Sequence, residues 1–145
     1  MATPFKKHLS AGGLIGIIHR HFSKVADSRD NGKRVIIPLK DHLMSGLAVF
    51  GLKCSSLLDY DRKRTTDYTG HNLRSLYKVE HPPSDTYLRQ RLDEVAPDSI
   101  RPAFKKVFAA FQRGKGLEEY QYMDGCILIS ADGSGHFSSG KISCP

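Results

Sequence analysis

Apolar residues recur along most of this chain at steps of three and four, the spacing of a helix with one buried face. Leu14, Ile15, Ile18, Phe22 and Val25 make the first such stripe, and Ser10 stands where a helix N-cap belongs. Gly12, Gly13 and Gly16 weaken that helix, so it must rely on packing. The polar, basic stretch 27–34 (DSRDNGKR) follows, with Asn31-Gly32 as its turn signal. Leu39, Leu43, Met44, Leu47 and Phe50 then predict a helix over about 38–52, with Pro38 in its first turn. A shorter helix is expected over 55–61, and 61–64 (DRKR) reads as a solvated face or loop. Residues 72–79 (NLRSLYKV) form another short helical candidate, which His81-Pro82-Pro83 must break.

Ser84 is placed to cap a helix over 85–95, whose apolar stripe is Leu88, Leu92 and Val95. Asp85 favours its positive start. Pro97-Asp98 opens the last helix, expected through about Gln112, with Asp98 as its cap and Pro102 tolerated in the first turn. Ile100, Phe104, Val107, Phe108 and Phe111 are its predicted core face, and Gly114 and Gly116 end it. The period then changes. Residues 120–123 (YQYM), 127–132 (ILISAD) and 136–139 (HFSS) are β-prone runs separated by Asp124-Gly125 and by Gly133-Ser134-Gly135, and Asp-Gly between such runs predicts a hairpin. The predicted fold class is mainly α. Residues 1–115 form a helical region, and residues 116–145 the first β-strands of a second, incomplete unit.

Charge sharpens that boundary. The 145 residues carry a formal charge of +7, yet residues 1–115 hold 21 basic and 11 acidic side chains, while 116–145 hold one and four. A basic body fits a polyanionic partner, and nucleic acid is the commonest. No apolar run approaches the roughly 20 residues that span a bilayer, so a membrane partner is excluded. A hydrophobic content of 39% is ordinary for a globular chain and argues against disorder. Cys54, Cys126 and Cys144 are odd in number and lack C-x-x-C spacing, which predicts reduced thiols. His19 and His21 point to different faces of a helix and make no zinc pair. With no secretory signal in residues 1–8, the expected location is cytoplasmic.

Three constellations bear on chemistry. In 126–139 (CILISADGSGHFSS) an apolar strand delivers Asp132 at its end, followed at once by a Gly-Ser-Gly turn. That arrangement suits a carboxylate holding a divalent cation against a phosphate, although Asp132-Gly133 also suits a plain turn. On the helix 85–95, burial of Leu88 and Leu92 puts Thr86, Arg89, Gln90 and Asp93 on the outer face. Arg and Gln grip base edges bidentately and Thr commonly meets phosphate. With 72–78 before it, this helix could complete a helix-turn-helix-like unit, although the connector 81–84 (HPPS) lacks the usual glycine. Lys33-Arg34, Arg62-Lys63-Arg64 and Lys105-Lys106 add candidate phosphate contacts, with Tyr60 and Tyr68 beside the second group.

The blocks 44–57 (MSGLAVFGLKCSSL), 83–92 (PSDTYLRQRL), 101–115 (RPAFKKVFAAFQRGK) and 124–145 (DGCILISADGSGHFSSGKISCP), in that order and spacing, resemble the N-terminal part of bacterial insertion-sequence transposases. These are the DDE class, with a ribonuclease-H-like α/β catalytic domain. The resemblance covers roughly residues 35–145 and implies that Asp132 matches the first catalytic, metal-binding carboxylate of the triad. Two Mg²⁺ (or Mn²⁺) ions would serve strand cleavage and transfer at transposon ends. It also implies a bacterial nucleoid setting, and a homo-oligomer or a mixed oligomer with a full-length transposase. The family's later Asp and Glu have no counterpart here. Asp59, Asp61, Glu118 and Glu119 precede the catalytic strand and do not replace them. The expectation is therefore a truncated transposase with weak or no metal binding, which touches DNA without cutting it. The other reading is a DNA-binding regulator or inhibitor of a full-length relative.

Overall fold

In the computed structural model, which describes residues 9–29 and 35–129, helix α2 (Leu39–Gly51) runs through the centre. Leu39, Asp41, His42, Leu43, Met44, Ser45, Ala48 and Val49 are all buried on it. Around it stand α1 (Ala11–Phe22), α3 (Leu57–Lys63), α4 (Asp67–Ser75), α5 (Asp85–Asp93) and α6 (Pro97–Arg113). A single-turn 3-10 helix (Gly116–Tyr120) then leads to a hairpin of β1 (Gln121–Tyr122) and β2 (Cys126–Ile127). The described chain is mainly helical, as the apolar spacing predicts. Among the described residues no helix is long and apolar enough to cross a membrane.

Packing follows the stripes. α1 lies on α6 through Ile18, Phe22 and the small Ala103, with the Phe22 and Phe104 rings edge to face at 6.2 Å. α2 packs on α1 and α5, and α5 also packs on α3. Tyr60, Leu73, Tyr77 and Val79 fill the remaining core. Each fully buried Leu or Met side chain there contributes about 1.5–3 kcal/mol. Gly51 allows one close approach: the Tyr77 hydroxyl occupies the space a Cβ would need.

The helix ends are held by identifiable groups. Ser10 Oγ accepts the Gly13 N–H at 3.1 Å, as expected of its N-cap position. Ser56 Oγ accepts from Asp59 N–H at 3.0 Å, and the Asp59 carboxylate accepts from the N–H of Ser55, the residue before the cap, so two backbone donors are satisfied at the start of α3. α2 starts one residue after Pro38, and its cap is remote: Asp27 Oδ2 accepts the Leu39 N–H at 3.1 Å.

Several expectations need correction. The fourth helix spans 67–75 rather than 72–79. Its polar first turns carry no apolar period. Its end comes early because Lys78, at φ 56°, turns the chain back so that Val79 N–H reaches the Leu73 carbonyl at 2.9 Å. Asp98 is not the cap of α6. Ala96 holds that position, Asp98 pairs with Arg101 in the first turn, and Pro102 lies inside the helix, past the first turn. Phe50 is 82% exposed, because α2 buries Asp41, His42 and Ser45, which an apolar count turns outward. Phe104 and Phe108 are 46% and 58% exposed. The inward line of α6 runs through Ile100, Ala103 and Val107, and these two rings sit one position further round. The hairpin forms at Asp124-Gly125 as predicted, with Gln121 opposite Ile127 and Tyr122 opposite Cys126. Met123, Asp124 and Gly125 all take positive φ in its loop. Residues 121–129 are all exposed, so the hairpin adds nothing to the core. The predicted strand 136–139 and Asp132 lie outside the described residues.

Candidate nucleic-acid interface

α5 owes its position to side chains on both of its flanks. At its start, Asp61 Oδ1 on α3 accepts the Asp85 N–H at 3.2 Å and Arg64 Nε at 2.8 Å. The same guanidinium donates through Nη1 to the Pro82 carbonyl at 3.0 Å. The corner 82–85 is thereby tied to the C-terminal end of α3. The Ser84 side chain, expected to cap α5, makes no capping bond.

On the inner face, Leu88 is fully buried and Arg91 nearly so. Arg91 Nη1 pairs with Glu94 at 2.7 Å, and Nη2 lies 3.9 Å from Asp27 Oδ1. Asp27 is also gripped by Arg29, whose Nη2 and Nε lie 2.7 and 3.0 Å from the two carboxylate oxygens. Hydrogen bonding to Arg29 pulls the Asp27 carboxyl down to about 2 against the opposing effect of burial. Arg29 Nη1 in turn donates to the Tyr87 hydroxyl, and Nη2 to the Ile37 carbonyl at 2.9 Å. Tyr87 meets the buried His42 ring edge to face at 4.8 Å. Burial lowers the His42 pKa, and its Nδ1–H donates to the Pro38 carbonyl at 3.0 Å. This polar cluster locks α5 against α2 and the 27–29 segment.

The outer face carries no such commitments. Thr86, Arg89, Gln90 and Asp93 are all exposed, at the i, i+3, i+4 and i+7 positions of one helical surface, as the sequence predicts. Arg89 and Gln90 have no hydrogen-bond or ion-pair partner among the described residues, so their forked donors are available. Thr86 differs: its hydroxyl and its N–H both donate to the Asp85 carboxylate, at 3.1 and 2.6 Å. A phosphate contact there must use a rotated hydroxyl.

The remaining candidates divide. On α6, Lys105 and Lys106 are exposed and unpaired among the described residues. Arg62, next to the Asp61 that bonds the start of α5, is exposed and unpaired among the described residues. Lys63 is exposed but paired with Asp59 at 2.9 Å. Arg64 is a correction: its guanidinium is spent on Asp61 and Pro82 and belongs to the scaffold. The helix-turn-helix expectation also changes. Nine residues, not four, separate α4 from α5, and α5 packs mainly on α2 and α3 rather than on α4. Lys33 and Arg34 fall outside the described residues, as does Asp132 with the Mg²⁺ or Mn²⁺ attached to it by resemblance. Among the described residues no group of three or more His, Cys, Asp or Glu is gathered around one point.

Sequence reasoning missed a second concentration of positive charge. His19 on α1, Lys40 on α2, Arg74 on α4, and Lys78 just after α4 line one groove of about 470 Å³ with Val79 and Glu80. These residues come from three helices and a turn, so no local pattern links them. Only the fold brings them together. Compared with known proteins, the chain matches no family model, no curated protein and no solved structure.

Proposed function

We propose that this chain binds duplex DNA through the outer face of α5, as the DNA-binding part of a transposase-like protein. The observation that carries the reading is the contrast within one helix. Its inner face is fixed by Leu88 and Arg91, while Arg89 and Gln90, on the side facing solvent, have no partner among the described residues. Rigid placement of unspent bidentate donors is what reading base edges requires. Arg62, Lys105 and Lys106 supply sequence-independent attraction to the backbone, within a basic stretch whose surplus lies in residues 1–115. In this reading the DNA is a transposon end, met in the bacterial cytoplasm, and Asp132 begins a ribonuclease-H-like domain.

Selection from a random duplex pool, followed by anisotropy titration at two salt concentrations, tests the proposal. Binding should weaken steeply with salt, with a slope of about −0.9 per phosphate contact. Arg89→Ala should relax the selected sequence, and Lys105→Ala should weaken all duplexes alike. No salt-dependent binding would contradict the reading.

A further inference from the structure

The geometry points to the groove between α1, α2 and α4 as a phosphate-binding site, built by Lys40, Arg74, Lys78 and His19. Three cationic residues line it from separate segments of the chain, and Lys40 and Lys78 act electrostatically on His19. None of the three has a hydrogen-bond or ion-pair partner among the described residues, and the one carboxylate lining the groove is Glu80. Gathering three cationic residues around one concavity with a single lining carboxylate costs free energy, and it focuses a positive field on whatever enters. The groove is large beside the roughly 30 Å³ of one liquid water, so an oxyanion with its hydration fits. A guanidinium and two ammonium groups on one lining suit the several oxygens of a phosphate better than a single carboxylate.

His19 reports on this field. Burial lowers its pKa, and Lys40, Lys78 and its helix neighbour Arg20 lower it further, against the buried Asp41 behind the groove. An anion bound between the lysines offsets their charge, so the imidazole should take up a proton at higher pH when the groove is filled.

Lys78 gives a clean variant. Its φ of 56° suits glycine at least as well as lysine, so Lys78→Gly removes the ammonium without straining the turn. Arg74→Gln is the second variant, and Arg89→Ala, on α5, is the control.

The test uses the whole chain, with pyrophosphate and then duplex DNA as probes. The readouts are calorimetry and the His19 imidazole resonances, assigned with His19→Gln. Pyrophosphate should raise the His19 titration midpoint. Lys78→Gly and Arg74→Gln should each weaken its binding by about tenfold, and Arg89→Ala should leave it unchanged. If the natural ligand is a DNA backbone phosphate, duplex also moves His19, and Lys78→Gly lowers the salt slope by about one. If it is a free phosphate, pyrophosphate moves His19 and duplex does not. Where the inference deepens the DNA reading, it rests on that reading, but the two fail separately. A chain that binds no duplex yet responds to pyrophosphate keeps the groove and loses the DNA reading. His19 resonances that respond to neither probe overturn the phosphate site.

Discussion

Arg89 and Arg91 lie two positions apart on α5 and do opposite work. Arg91 is 8% exposed, points inward, and is engaged by Glu94 at 2.7 Å and by Asp27 at 3.9 Å. Arg89 is exposed and paired with nothing among the described residues. The helical repeat separates them by about 200° around the axis, so one residue type serves as scaffold on one face and as a free donor on the other. The lesson is that the positive charge of this chain is not one quantity. Arg29, Arg64 and Arg91 hold segments together, whereas Lys40, Arg62, Arg74, Lys78, Arg89, Lys105 and Lys106 remain unspent among the described residues.

The comparison is broken most forcefully from below. Leu88→Ala empties a fully buried position under α5 and should cost about 2–5 kcal/mol in chemical denaturation. DNA affinity should fall only in step with the unfolded fraction. Arg91→Ala leaves Glu94 without a partner and removes a second, more distant cation from Asp27, which keeps Arg29, and should cost about 1–2 kcal/mol. It should not alter which sequence is preferred. A change in sequence preference for this variant would erase the distinction between the two faces.

Acid should weaken the scaffold before it touches the outer face. Arg29 holds the Asp27 carboxyl at about 2, below its value in the unfolded chain. Its stabilisation is therefore complete above the ordinary carboxylate range near 4 and is lost as pH falls towards 2. After allowance for solvent screening the loss is roughly 1–2 kcal/mol, and Asp27→Asn should flatten that part of the profile. His42, whose pKa burial lowers, adds a second loss that begins as pH falls below about 6.5. Denaturation midpoints measured across this range check both.

Much of the helical layout was legible in the sequence, because five of the six helices carry an apolar stripe or a clear start signal. α5 is the best case: Leu88 in, and Thr86, Arg89, Gln90 and Asp93 out, followed from spacing alone. α4 was displaced because its first two turns bury Thr69 and Gly70 rather than large apolar residues. An apolar count places Phe50 inside because it cannot see that α2 buries Asp41, His42 and Ser45, and it places Phe104 and Phe108 inside because it cannot see that the small Ala103 sets the inward line of α6. The division of the Arg62-Lys63-Arg64 run into free, paired and structural members was illegible for another reason. It depends on Asp59 for Lys63 and on Asp61 and Pro82 for Arg64, and Pro82 is 18 residues away from Arg64. The groove of His19, Lys40, Arg74 and Lys78 is non-local in the same way.

The smallest expected effect on folding comes from Arg89→Ala, since an exposed, unpaired side chain should change stability by less than about 0.5 kcal/mol. That makes it the most direct measurement of the central claim, with thermal melting and titration of a selected duplex run on the same sample. The account predicts an unchanged melt and a loss of about 1–3 kcal/mol in binding to the preferred sequence, with little change for unrelated duplexes. An unchanged melt with unchanged affinity for the preferred sequence would contradict it.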